Sequence, residues 1–118
     1  MRTLYILGTA GCAKEVAQVA TAINEAGPRR WTSIQYLAES ASGIDRRMPF
    51  GTVVGTDAVL AQRGEPADAA IGVGHPAIRR RIARALRSLP HIDTPNLVHP
   101  LAGLDPRWVR LGQGNVVA

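Results

Sequence analysis

Apolar residues along the 118-residue chain switch between two spacings. Thr3–Leu7 is a short apolar run ending at Gly8, as in a strand buried within a parallel sheet. From Ala13 to Ala26 the spacing becomes helical, with Val16, Val19, Ala20 and Ile23 on one stripe, and Gly27-Pro28 ends it. Trp31–Leu37 predicts a second strand, with Ile34 and Leu37 among its apolar positions. Residues 38–52 carry Ser, Gly, Pro and Arg and read as a surface loop. Val53-Val54 is a minimal third strand, leading through Gly55-Thr56 to a short helix near Asp57 with Val59 and Leu60 inward. Ala69–Val73 predicts a fourth strand. Pro76, at a favoured first helical position, opens a second long helix with the apolar stripe Ile78, Ile82, Leu86 and Leu89. Asn96–Val98 predicts a fifth strand. The order β-α-β-β-α-β implies an α/β fold, a parallel sheet covered by helices on both faces.

In such a sheet a ligand sits beyond the carboxyl ends of the strands, where the strand order reverses. With the first and fourth strands as neighbours, the loops Gly8–Lys14 and Gly72–Ala77 meet there. Each runs into a helix whose N-terminal N–H groups are free and partially positive, a ready anion site. Gly8 and Gly11 on one side, and Gly72 and Gly74 on the other, let a ligand approach the backbone closely.

Composition narrows the partner. The 46% hydrophobic content suits one globular domain, and no apolar run approaches the ~20 residues of a membrane span. A single cysteine, Cys12, excludes an internal disulfide or a thiolate metal cluster and points to a reducing cytoplasm. The formal charge is +5, with 13 arginines among 14 basic residues, and arginine forks suit phosphates and carboxylates. With 4% aromatic residues there is no stacking platform for single-stranded nucleic acid. The run Arg79-Arg80-Arg81, with Arg84 and Arg87, falls mostly on the solvated face of its helix. An acidic small molecule is the expected partner.

The glycine loop G-T-A-G-C-A departs from G-x-G-x-x-G at Ala10, and an acid at the expected ~20 residues further on is missing, Glu39 coming later. It is no Walker loop either. Cys12 lies near a helix start and Lys14, so a nucleophilic pair with His75 is conceivable, though no third group orients it. Chemically, a stand-alone binding or redox domain using a nicotinamide dinucleotide stays open at this point.

Three ordered blocks, "LYILGTAGCAKEVAQVA", "AAIGVGHPAIRRRIARAL" and "PNLVHPLAGLDPRWVRLGQGNVV", resemble the bacterial hexapeptide-repeat sugar acyltransferases. That family holds sialic acid O-acetyltransferases and N-acetyltransferases of nucleotide-linked amino sugars. The resemblance implies a Rossmann-like N-terminal domain that binds the sugar, then a left-handed β-helix that binds acetyl-CoA, in a trimer. It places substrate-binding residues at Gly8, Thr9, Ala10, Gly11 and Cys12, and at Gly72, Gly74, His75 and Arg79. Ala10 and Cys12 stand where the family often has glycine and histidine, and Ala38-Glu39-Ser40 replaces its acidic pair after the second strand. His99-Pro100 matches the junction into the β-helix and reads as structural.

The domains so implied are a sugar- or nucleotide-sugar-binding domain at 1–99 and, at 100–118, a junction with one rudimentary β-helix turn. Stacked repeats need several neighbours to bury a core, so the chain reads as the N-terminal portion of a longer acetyl-CoA-dependent enzyme. No catalytic residue is assigned within it, no metal is expected, and it is expected to be inactive in acetyl transfer alone. Nucleic acid and membrane are not expected partners.

Overall fold

The computed structural model describes residues 2–40, 43–44, 46–103, 107 and 111–117. Its main sheet contains β1 (Arg2–Leu7), β2 (Trp31–Ala38), β3 (Arg47–Met48), β4 (Gly51–Thr56), β5 (Ala67–Ile71) and β6 (Ile92–Asp93), in the order β3-β4-β2-β1-β5-β6. The helices are α1 (Gly11–Ala26), α2 (Ala58–Gln62) and α3 (Pro76–Arg87). None is long and apolar enough to cross a membrane.

The two-residue alternation of the strands sorts the core onto two faces. Leu4 and Ile6 of β1 pack with Ala13, Val16, Ala17 and Ala20 of α1 on one face. Tyr5 and Leu7 pack with Leu60 of α2 and Leu86 of α3 on the other. β1 pairs in parallel with both β2 and β5, so the first and fourth predicted strands are indeed neighbours.

Three sequence expectations need correction. The sheet is mixed, because β3 and β4 are antiparallel. Residues 38–52, read as loop, contain this hairpin, whose turn is only Pro49-Phe50; a two-residue connection can join only antiparallel neighbours. Asn96–Val98 does not join the main sheet. There β7 (Leu97–Val98) pairs in parallel with β8 (Val116–Val117), and the sixth strand of the main sheet is β6 instead. Pro95 follows closely on β6 and has no N–H with which to extend that ladder. Parts of the expected tail, residues 104–106, 108–110 and 118, lie outside the described residues.

Tyr36 fastens the hairpin, its buried hydroxyl donating to Pro49 O at 2.6 Å. Burial pushes this phenol above its ordinary range and keeps it a neutral donor. Phe50, 54% exposed, sits at φ 67°, left-handed backbone that disfavours a bulky side chain. Phe50→Gly is therefore expected to raise stability by about 1 kcal/mol, read as a higher urea midpoint at unchanged slope. An unchanged or lower midpoint would show that the ring contributes as much as the strain costs.

Candidate functional site

β1 and β5 are adjacent yet lead to helices on opposite faces, so their carboxyl ends form the switch point. Gly8 N–H donates to Leu37 O at 3.0 Å and Gly72 N–H to Leu7 O at 2.8 Å, which holds the tops of β1, β2 and β5 level. Above them opens a cavity of about 450 Å³ lined by Gly8, Thr9, Ala10, Cys12, Gly72 and Gly74. The residues after β2 close the far side, with Glu39, Ser40 and Arg46 reaching the same space.

A second recess of about 420 Å³ continues around the sheet top and shares Gly8, Ala38, Glu39 and Val73 with the first. Asp57 and, from α3, Arg81 and Ile82 line it. The crevice is thus two-lobed, with Glu39 at the joint.

Both helices that face it start open. Ala10 caps α1 and His75 caps α3 without a side-chain hydrogen bond, and neither first turn holds an acid. The early N–H groups stay available to an outside acceptor, and the dipoles favour negative charge there.

Only some of the sequence-nominated residues converge. Gly11 is exposed at the start of α1, and a Cβ there would meet nothing within 4 Å. Gly74 lines the cavity but likewise has open space where a Cβ would be. Close approach is a property of Gly8 and Gly72 alone. A Cβ at Gly8, whose φ is 128°, would lie 2.6 Å from Gly72 O, and one at Gly72 would lie 2.7 Å from Ala13 Cα. Gly8 serves the contact between the two loops and Gly72 the contact of α1 with the end of β5, so at both positions backbone packs closely on its neighbour.

His75 is exposed and does not line the crevice, and no hydrogen bond joins it to Cys12 among the described residues. Arg79 turns away: its Nη1 donates to Ile71 O at 3.1 Å and Val73 O at 3.4 Å. It braces the loop Gly72–His75 from behind. The other histidines are in structural bonds, His91 Nε2–H donating to Leu60 O at 2.8 Å and His99 Nδ1 accepting from Leu101 N–H at 3.1 Å.

The family model of the PglD N-terminal domain matches residues 3–86. The chain belongs to the PglD N-terminal domain family. Two solved proteins resemble the chain over nearly its whole length. Perosamine N-acetyltransferase from Caulobacter crescentus, solved as a mutant with CoA and GDP-perosamine, is 26% identical with a TM-score of 0.76, the match covering 99% of this chain and 51% of that one. The acetyltransferase domain of PglB from Neisseria gonorrhoeae FA1090, solved with acetyl coenzyme A, is 29% identical with a TM-score of 0.83, covering 98% and 52%. The chain spans about half the length of these structures. No curated protein matches.

Sequence reasoning passed over Glu39 and missed Arg46, Asp57 and Ser40. The signal for Glu39 was present: the apolar run Tyr36-Leu37-Ala38 carries β2 to Ala38, which places Glu39 directly at the strand's end. For Arg46 and Asp57 no local signal existed, because only the sheet order brings their connections to the crevice.

Proposed function

We infer that this chain is the substrate-binding portion of an acetyltransferase, which moves an acetyl group from acetyl-CoA to an amino or hydroxyl group of a nucleotide-linked sugar. The observation that carries it is the two-lobed crevice, in which the uncapped start of α1, the loop leading into α3 and one carboxylate at the joint face a ligand space. Helix starts hold phosphates, and a carboxylate at the end of the second strand accepts hydrogen bonds from a ribose hydroxyl or a base N–H. The family membership and the GDP-perosamine and CoA complexes of its structural neighbours support this reading, and favour the amino group as acceptor. We assign Gly8, Thr9, Ala10, Cys12, Gly72, Gly74, Glu39 and Arg46 to the sugar-nucleotide, with Arg79 as a brace of the second loop; Gly11 and His75, nominated from the sequence, stand outside the lining. A free sialic-type sugar stays a second substrate class for the test.

Residues 1–99 form the binding domain in this reading. The parallel pair β7–β8 supports residues 100–118 as the first turn of a left-handed β-helix, the element that carries acetyl-CoA in the whole protein. The whole protein is then a trimer, since such β-helices hold acetyl-CoA between neighbours. The lone Cys12, free and part-exposed, fits a reducing cytoplasm.

Titration calorimetry with GDP- and UDP-linked amino sugars, free sialic acids and NAD tests the assignment. One nucleotide-sugar is expected to bind best, and Glu39→Ala to weaken it about ten-fold, the worth of one charge-assisted hydrogen bond. Tighter binding of NAD than of any nucleotide-sugar, or an unaffected Glu39→Ala variant, would overturn it.

A further inference from the structure

A third cavity, of about 690 Å³, lies on the other flank of α3. The crevice is lined by Ile78, Arg81, Ile82 and Ala85 of that helix; this cavity takes Arg79, Arg80, Ala83 and Arg87 from the opposite side. Its floor is the outer edge of β5 at Ala69 and Ile71, left open because β6 pairs only with Ala67 and Asp68. Its far wall is the chain at Gln113–Asn115. Asn96 fastens that wall, donating through Nδ2 to Gly112 O at 2.5 Å and accepting from Asn115 N–H at 2.8 Å.

The charge of this cavity is one-sided. Among the described residues three arginines line it and no acid does. Arg79 spends one nitrogen on two carbonyls, while Arg80 and Arg87 have no hydrogen bond or ion pair among the described residues. Like charges crowded on one helix face repel, the more so beside a low-dielectric wall. Arginine forks relieve this by binding phosphate oxygens in pairs. Arg80 and Arg87 stand seven residues apart, about 10 Å along the helix axis. A chain of linked phosphates spans that distance and offers oxygens to each fork.

We propose that the cavity between α3 and residues 113–115 is a second anion site, separate from the nucleotide-sugar crevice, which takes a linear polyphosphate group. Arg80 and Arg87 clamp the two ends of the chain, and Arg79 lies between the site and the crevice loop it braces. The site does not rest on the acetyltransferase reading.

Tripolyphosphate is the probe, titrated by calorimetry into the chain and compared with sulfate at matched ionic strength. Saturable one-to-one binding is expected, at least ten-fold tighter than sulfate. Arg87→Glu and Arg80→Glu should each weaken it ten-fold or more. Arg84→Glu makes the same charge change on the same exposed helix but off the cavity, and should weaken it less than three-fold. Circular dichroism should show all three folded, as these side chains are exposed. Equal losses in all three variants would mean diffuse attraction and overturn the proposal. So would parity with sulfate, or loss of binding on Arg46→Ala instead of Arg87→Glu, which would place the anion in the crevice. Failure here leaves the nucleotide-sugar reading untouched, because that is tested through Glu39 and a different ligand.

Discussion

Asp68→Ala should lower the stability of the domain by about 3 kcal/mol, a large share of the roughly 5–15 kcal/mol that holds a native domain together. Asp68 is the only charged residue buried among the described residues. Its Oδ1 accepts from Arg2 Nε at 3.0 Å and its Oδ2 from the fully buried Trp31 Nε1 at 2.8 Å. Arg2 reaches on through Nη2 to Ala67 O at 3.0 Å and Asp93 Oδ2 at 2.9 Å. One acid thus ties β1, β2, β5 and β6 together at the end of the sheet opposite the crevice. Removing it strands an indole N–H in the core and takes the acceptor from Nε of Arg2, whose side chain is only 35% exposed. Asp68→Asn keeps an acceptor for Trp31 and should lose about half as much. Urea unfolding measures both, and in a Trp31→Phe background the cost of Asp68→Ala should shrink by about 1 kcal/mol. Additive losses would deny the Trp31–Asp68 bond any role.

Gly72→Ala should cost a similar amount, about 3 kcal/mol, at the upper end of what overpacking a core by one methyl does. The new Cβ would fall 2.7 Å from Ala13 Cα and 2.8 Å from Ala13 Cβ, so the first turn of α1 must lift off β5. That turn forms one wall of the crevice, so nucleotide-sugar affinity should fall along with stability. Gly11→Ala and Gly74→Ala are the controls: a Cβ at either meets open space, and each should stay within about 0.5 kcal/mol of the parent. Gly11→Ala could even gain, since glycine costs entropy in a helix. If all three variants unfold at the same urea concentration, α1 has more freedom on the sheet than the contact allows.

The four loop glycines show how far residue type can be read without coordinates. All four looked alike in the chain, as openings for a ligand. Gly8 is instead demanded by the close approach of the two loops and Gly72 by the packing of α1 on the end of β5, while Gly11 and Gly74 have room for a side chain. Gly8 alone is further marked by φ 128°. The difference lies in where two backbones cross, a contact between residues 64 apart in sequence. Arg79 is similar: its place on α3 was legible, but its direction was not. Its guanidinium turns back to Ile71 O at the end of β5 and Val73 O just past it, a contact set by how α3 folds back on its own loop.

What the chain determines locally is the alternation of strand and helix. Apolar spacing of two or of three to four residues reports which face a segment buries, and Gly27-Pro28 and Pro76 punctuate it through backbone dihedrals alone. Three blocks of residues in order also sufficed to place it in a family. The tertiary structure decided the rest. The hairpin at Arg47–Thr56 is too short to carry a periodic signal, and the departure of Leu97–Val98 from the main sheet depends on a partner strand nineteen residues later. Whether Glu39, Arg46 and Asp57 share a crevice depends on the order β3-β4-β2-β1-β5-β6. Strand order is a choice among long-range pairings that bury nearly the same apolar surface, and no local stretch of sequence encodes that choice.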